Sequence, residues 1–333
     1  MKKLINDPAN YVDEMIDGIL LAHPTKLRSV ANDLKCMVKS DAGKTDRVAI
    51  MTGGGSGHLP LFLGYVGSGL LDGVAIGDVF QSPSAKQIAN VTKEIDCGKG
   101  VLYLFGNYTG DVINFGMASE LADARGIKTK TVVANDDVAS SGKGEEQKRR
   151  GIAGIVFAYK AAGACAQTGA DLEEVARIAQ EAVDNTRTMG MAMSPCTIPQ
   201  IGKPSFAMGE DEVEIGMGIH GEKGITRAKM MPADVTVTIL LNYIFADYDY
   251  QPGDKVSVLI NGLGATPLDE LYICYRKVHE ILQERKIEIH NAYVGNFATS
   301  MEMSGMSISL LRLNDELEKY IDAPCNSPFF KQI

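Results

Sequence analysis

Three short segments carry side chains able to serve as nucleophile, base or proton carrier, in settings where an ordinary core has little use for them. In Gly216-Met217-Gly218-Ile219-His220-Gly221-Glu222, a histidine is flanked by glycines at the end of an apolar run. Neutral imidazole is a nucleophile near pH 7, and its pKa also suits it to acid, base or metal-ligand work. Thr52-Gly53-Gly54-Gly55-Ser56-Gly57-His58 follows a strand-like run. Its glycines permit positive φ and close approach of backbone to a ligand, and its amides could form a binding nest at a helix start. A tight strand-to-helix turn is the plainer reading, and His58 moves the balance towards function. In Gly106-Asn107-Tyr108-Thr109-Gly110-Asp111 a carboxylate sits just past another strand. Asp111 could be a general base aimed at a hydroxyl, or simply the N-cap of the next helix.

No metal is expected. The five histidines, His23, His58, His220, His279 and His290, include no HxH or HxxxH pair, which leaves a zinc site unsupported. His23, His279 and His290 read as structural. Ala42-Gly43-Lys44-Thr45 ends like a phosphate-binding loop, but that pattern needs glycine where Val38 stands. The glycine-rich loop, catalytic loop and metal-binding triplet of protein kinases are also missing, so no nucleotide site is recognisable. The six cysteines contain no CxxC pair, which fits reduced thiols in a cytoplasm. A net charge of −9, from 33 basic and 42 acidic residues, argues against a nucleic-acid binder. The N-terminus lacks the apolar stretch of a signal peptide, and no run is long enough to span a membrane. A cytoplasmic protein is therefore expected.

The elements that must position these residues alternate. Apolar runs at Arg47–Thr52, Gly73–Ile76, Gly100–Phe105 and Lys128–Ala134 each end in a glycine or polar turn, and helical stretches lie between them. This is the pattern of a largely parallel sheet with crossover helices, where ligands collect at the carboxyl ends of the strands. Helices are expected at Ile152–Ala166 and at Leu172–Met189, the latter capped by Asp171. The Pro- and Gly-marked stretch Ser194–Gly209 then suggests a boundary nearby, giving domains over residues 1–190 and 191–333. In the second half, strands are expected at Glu212–Ile219, Lys255–Asn261, Ile287–Phe297 and Met306–Leu313, with helices at Met231–Tyr243 and Pro267–Arg285. The expected fold is two α/β domains, the first with a largely parallel sheet flanked by helices and the second with a mixed sheet carrying His220.

Six motifs in order, GGGSGH, GDVFQSPS (Gly77–Ser84), NYTGD (Asn107–Asp111), NDDVASS (Asn135–Ser141), RRGIAG (Arg149–Gly154) and EIGMGIHGE (Glu214–Glu222), resemble the substrate-binding subunit or domain of the dihydroxyacetone kinase family. The resemblance spans nearly the whole chain. It implies that His220 holds a small ketose as a covalent hemiaminal. It implies too that His58 and Asp111 assist its formation and deprotonate the hydroxyl that receives the phosphoryl group. Gly55, Ser56 and Gly57, with His58, Gly106 and Asp111, would line the sugar. In that family the nucleotide, Mg-ADP or Mg-ATP, sits on a separate all-helical domain or partner subunit. The resemblance thus implies no cofactor on this chain, a nucleotide-binding helical kinase subunit as partner, in many bacteria a phosphotransferase-system carrier recharging it, and a homodimer.

Two positions depart from members specific for dihydroxyacetone: Leu59 follows GGGSGH where Glu is usual, and Gly106 precedes NYTGD where Lys is frequent. Less charge and bulk there would suit a four-carbon ketose such as erythrulose, although drift within a dihydroxyacetone kinase would leave the same trace. A ketose-binding sensor or co-activator is a further alternative, against which the retention of His220, His58 and Asp111 argues. A fatty-acid-binding protein of similar two-domain build is poorly served by polar, histidine-bearing loops.

Overall fold

The computed structural model describes residues 2–333. After helix α1 (Tyr11–Ala22), a hairpin of β1 (Leu27–Val30) and β2 (Asp33–Lys39) leads into β3 (Ala49–Ser56), β4 (Gly73–Val79), α2 (Ala85–Ile95), β5 (Val101–Gly106), α3 (Thr109–Asp123) and β6 (Thr129–Ala134). The first sheet has the order β1-β2-β4-β3-β5-β6. Strands β4, β3, β5 and β6 run parallel, whereas β2 joins β4 antiparallel and β1 extends that edge. Parallel strands covered on both faces need unbroken apolar runs rather than alternation, and all six residues of β5 are buried. Helix α2 is held at its start by a capping box between Ser84 and Gln87.

Helix α4 (Ile155–Gln167) is alanine-rich and buried almost all round, which lets it lie between the sheet, α5 (Leu172–Asp184) and the C-terminal α8 (Asp315–Asp322). Asp171 caps α5 as expected, accepting from the Glu174 amide at 2.9 Å. The helix nevertheless stops at Asp184 rather than continuing to Met189. Residues Thr186–Ser194 form β7, and Thr188 Oγ1 donates to Ser309 Oγ at 2.7 Å within the second sheet. Threonines and Gly190 carry little helical preference, so pairing with a distant strand decides the segment.

A short hairpin, β8 (Thr197–Ile198) and β9 (Lys203–Pro204), precedes β10 (Glu212–Ile215) and β11 (Thr226–Lys229). Then follow α6 (Ala233–Asp247), β12 (Lys255–Gly262), α7 (Leu268–Glu284), β13 (Glu288–Gly295) and β14 (Ser304–Leu313). The second sheet, β11-β10-β7-β14-β12-β13, is mixed: only β12 and β13 pair in parallel. The chain ends in the small pair β15 (Cys325–Asn326) and β16 (Lys331–Gln332), and the Asn326 backbone bonds back to Ser68 beside the first sheet. No described helix is long and apolar enough to cross a membrane.

A buried ion cluster ties the two halves together. The Arg149 side chain is fully enclosed; its Nη1 donates to Asp247 Oδ2 at 2.9 Å, and Arg187 Nε reaches the same oxygen at 2.6 Å. Burial works against ionisation of Asp247, but hydrogen bonds from the two guanidinium groups hold its pKa below the ordinary value. Asp247→Ala would leave the Arg149 charge buried without its anion. We expect a loss of about 3–5 kcal/mol in urea unfolding, against less than about 0.5 kcal/mol for Asp123→Ala on the exposed end of α3.

Candidate functional site

The rim where β3, β4, β5 and β6 end collects the site. His58 follows β3, Phe80 and Ser82 follow β4, Tyr108 and Asp111 follow β5, and Asp136 and Asp137 follow β6. From the second sheet, the loop after β10 brings His220 over this rim. His58 and His220, 162 positions apart in sequence by subtraction of their numbers, meet edge to face with ring centroids 4.7 Å apart.

The triple glycine does not form the anticipated nest at a helix start. Gly53–Gly55 are part of β3 with ordinary φ values, and the next element is a single 3-10 turn at Leu63–Tyr65. They are glycines because the strand is tightly overlaid: a Cβ on Gly54 would lie 2.3 Å from the Phe62 ring. Only Gly57 needs the left-handed region, at φ +100. Ser56 spends its hydroxyl on the Gly77 carbonyl at 2.7 Å. Gly55 is likewise overlaid, by the backbone of Phe80 and Gln81, and Gly57 turns the chain to deliver His58.

His58 is 1% exposed. Its Nδ1 lies 2.7 Å from the Thr299 carbonyl, which can only accept, so Nδ1 carries the proton and Nε2 an open lone pair. Burial, reinforced by His220, pushes its pKa down to about 3, so the ring is neutral. Phe80 stacks on it at 4.9 Å and 22°, and also meets His220 edge-on at 5.2 Å. Phe80 adopts φ +58, a conformation costing a residue with a side chain about 1–3 kcal/mol.

Asp111 is not the N-cap of α3. Tyr108 occupies that position, and Asp111 lies in the first turn, buried. Burial raises its pKa to about 6, with a Ser82 hydrogen bond and the charge of His220 acting in opposition. Tyr108 meets the His220 ring edge-on at 4.7 Å. Its phenol, enclosed and close to Glu222, is held protonated well beyond the usual range. Gly106, at the end of β5, is buried; a Cβ there would lie 3.1 Å from the Gly151 carbonyl and 3.3 Å from the Tyr108 ring.

Three buried polar atoms of this cluster lack any hydrogen-bond partner: His58 Nε2, Tyr108 OH and Asp111 Oδ1. An unpartnered buried polar atom costs about 1–3 kcal/mol, so three together mark a place kept for a ligand. The tyrosine hydroxyl can donate, while His58 Nε2 accepts, as does Asp111 once ionised.

His220 is partly exposed. Its Nδ1 lies 2.8 Å from Glu222 Oε1, and its backbone N–H donates to Glu222 Oε2 at 2.9 Å. Arg150 Nη1 stands 3.8 Å from that carboxylate, while its Nε donates to Asp137 Oδ2 at 2.8 Å and its Nη2 to the Gly216 carbonyl at 3.2 Å. Burial opposes ionisation of Glu222, yet the His220 hydrogen bond and the charges of His220 and Arg150 bring its pKa down to about 2. Strand β10 ends at Ile215 rather than Ile219 because Gly216, at φ +80, turns the chain into this loop.

Sequence reasoning assigned no role to Tyr108, Glu222, Phe80, Arg150 or Asp137, although all five lie within the six motifs. One signal was available: charged residues in strand-end segments that are otherwise apolar and glycine-rich, namely Asp136-Asp137 and Arg149-Arg150. His279 meets Tyr275 edge-on and His290 pairs with Asp322, both outside the site.

Residues 17–329 match the Dak1 domain family. The chain is 46% identical over 331 residues, covering 99% of both proteins, to a PTS-dependent dihydroxyacetone kinase 2, dihydroxyacetone-binding subunit DhaK, of Listeria innocua serovar 6a. It is 39% identical to an L-erythrulose kinase of Pectobacterium atrosepticum, covering all of this chain and 56% of that protein. The crystal structure of the dihydroxyacetone kinase of C. freundii superposes with a TM-score of 0.91 at 30% identity, over 99% of this chain and 60% of that one.

Proposed function

We propose, from the premise that the chain belongs to the Dak1 domain family, that it is the substrate-holding subunit of a dihydroxyacetone-type kinase. His220 Nε2 attacks the ketose carbonyl carbon: the C–N bond forms, the carbonyl π pair moves to oxygen, and that oxygen takes one proton from water, leaving the ring as an imidazolium that keeps its Nδ1 proton. The observation that carries this reading is the trio of unpartnered atoms around His220. A ketose with hydroxyls on both flanking carbons offers one carbonyl acceptor and two hydroxyl donors. The site offers the complement: one donor, Tyr108 OH, and two acceptors, His58 Nε2 and Asp111 Oδ1.

His58, neutral and with its lone pair inward, receives one substrate hydroxyl. Asp111 receives the other and takes its proton as the phosphoryl group arrives. Covalent anchoring fixes that oxygen for an in-line approach, which is most of what phosphoryl transfer requires. The donor is Mg-ATP on a separate helical subunit, either taken up as such or regenerated in place from bound Mg-ADP through a phosphotransferase-system carrier. Support comes from the Listeria relative, whose name describes a PTS-dependent kinase and which this chain covers to 99%.

A four-carbon ketose is the second reading. It is favoured by Gly106, which puts no side chain beside Tyr108, and by the relative named for L-erythrulose.

Non-denaturing intact-mass spectrometry tests both. We expect the protein to gain the mass of one ketose with dihydroxyacetone and with erythrulose, and nothing with glycerol, which has the hydroxyls but no carbonyl. Competition between the two ketoses names the preferred one. Tyr108→Phe should slow adduct formation about 100- to 1000-fold by removing the donor to the developing oxyanion. A glycerol adduct, or none with either ketose, refutes the reading.

A further inference from the structure

The motif that carries His220 also carries Glu222, and Glu222 is bound to more than the histidine. Its two oxygens divide their work: Oε1 faces His220 Nδ1 at 2.8 Å, and Oε2 accepts the His220 backbone N–H at 2.9 Å while facing Arg150 Nη1 at 3.8 Å. Arg150 belongs to the segment before α4, on the side of the first sheet. It is fixed there by Asp137, which is 1% exposed and lies 2.7–2.8 Å from two guanidinium nitrogens. Its remaining hydrogen bond goes to the Gly216 carbonyl, at the hinge where the His220 loop leaves β10. The loop is shaped around this arrangement: a Cβ at Gly218 would sit 2.2 Å from Glu222 Oε2 and 2.4 Å from Arg150 Nη1.

We propose that Glu222, set by Arg150 and Asp137, is a positioning residue that fixes the tautomer of His220, protonated on Nδ1 and bare on Nε2, so that Nε2 is the nucleophile. This rests on the reading of His220 as the covalent anchor and adds how the anchor is made ready. A carboxylate accepts and does not donate, so the proton between it and the ring belongs to Nδ1. Arg150 and the backbone N–H together demand an acceptor at Oε2, which leaves Oε1 for the ring. When Nε2 bonds to carbon the ring becomes cationic, and the carboxylate at 2.8 Å balances that charge without any proton having to leave. Arg150 also reaches from one sheet's connections to the other's loop, so the nucleophile is presented only when the two halves are docked.

Glu222→Gln makes the sharp test, since it changes almost no volume. The amide has one acceptor and one donor end. Two donors, Arg150 and the His220 N–H, claim the carbonyl oxygen, so the NH2 turns to the ring and donates to Nδ1. The tautomer inverts and the proton moves to Nε2. In a serine-protease triad, exchanging the orienting aspartate for asparagine in this way lowers turnover about 10⁴-fold.

With 15N-histidine-labelled protein, nitrogen NMR without sugar should show His220 Nδ1 as the protonated, pyrrole-type nitrogen and Nε2 as the pyridine-type one. In Glu222→Gln the two should exchange character, and the rate of adduct formation with dihydroxyacetone should fall by on the order of 10²-fold or more. Glu222→Ala should give mixed tautomers and an intermediate rate. A Glu222→Gln protein that keeps both tautomer and rate overturns the proposal, as does a wild-type His220 protonated on Nε2, a result needing no variant to fold. Failure of the covalent reading looks different: wild type would show the Nδ1 tautomer and no adduct.

Discussion

With alanine at position 220 the protein should gain no ketose mass at any dihydroxyacetone concentration, while melting within a few degrees of wild type. His220 is partly exposed on a loop whose packing is made by Met217 and Ile219, both buried, so trimming its ring removes little core. What disappears is the one imidazole of the pair whose ring is not enclosed. His58 cannot substitute for it: its ring is enclosed between Phe80 and the Thr299 carbonyl, in stacked contact on one side and hydrogen-bonded on the other. The loss should therefore be complete rather than graded, and phosphorylation by the nucleotide-bearing subunit should fall with it by several orders of magnitude. A His220→Ala protein that still acquires a stoichiometric, competable adduct would move the anchor elsewhere and take the proposed function with it.

Asp111→Asn should separate capture from transfer. Adduct formation persists within about tenfold, because the asparagine side chain still carries an oxygen able to accept a hydroxyl. Phosphoryl transfer, which needs the proton removed, should fall about 10²- to 10⁴-fold. The pH profile follows from the same group. Burial raises the Asp111 pKa to about 6, and the base acts only when ionised. The wild-type transfer rate should thus rise through pH 6 and drop about tenfold per unit well below it.

The effect on stability has the opposite sign. A carboxyl whose folded pKa lies above its unfolded value favours folding fully only below the unfolded pKa, near 4, and loses that contribution as pH rises towards 6. At neutral pH the buried charge is a cost of about 2–3 kcal/mol. Asp111→Asn should therefore raise the melting temperature at pH 7 and leave it nearly unchanged at pH 4. A variant that is destabilised at pH 7 would show that the carboxylate is tied into the fold and not held in reserve for a substrate.

The buried polar side chains of the ion cluster and the site fall into two kinds. The Arg149–Asp247–Arg187 cluster is fully paired and joins the halves. Asp111, His58 and Tyr108 each keep one polar atom without a partner. The first kind is where substitution should cost stability, and the second is where it should cost activity.

Much of this was legible in the sequence. Apolar runs ending in polar turns are a local pattern with one compact solution, a parallel sheet, and that solution sends Gly57-His58, Tyr108–Asp111 and Asp136-Asp137 to one rim whatever the details. Glycines beside His220 and His58 marked the two rings as something other than core. Other features could not be read in this way, because they depend on residues distant in the chain. The threonines of Thr186–Met189 weaken a helix without specifying a strand; the hydrogen bonds that decide for the strand are supplied by β14, more than a hundred residues on. The three glycines of β3 look like a ligand-binding turn until their neighbours are placed: Phe115 and the Ala75 carbonyl against Gly53, the Phe62 ring across Gly54, and the Phe80–Gln81 backbone against Gly55. Asp111 reads as a cap, but Tyr108 holds that position, and the Asp111 carboxylate is buried in the first turn with one oxygen unpartnered. Sequence determined which residues could do chemistry and which strand ends would carry them. Tertiary structure decided the rest: which nitrogen of each histidine is bare, which acid is ionised and which is held back. Those states are set by the Thr299 carbonyl, by Glu222 under Arg150 and by exclusion of water, all of which exist only once the second sheet's loop has closed over the first sheet's rim.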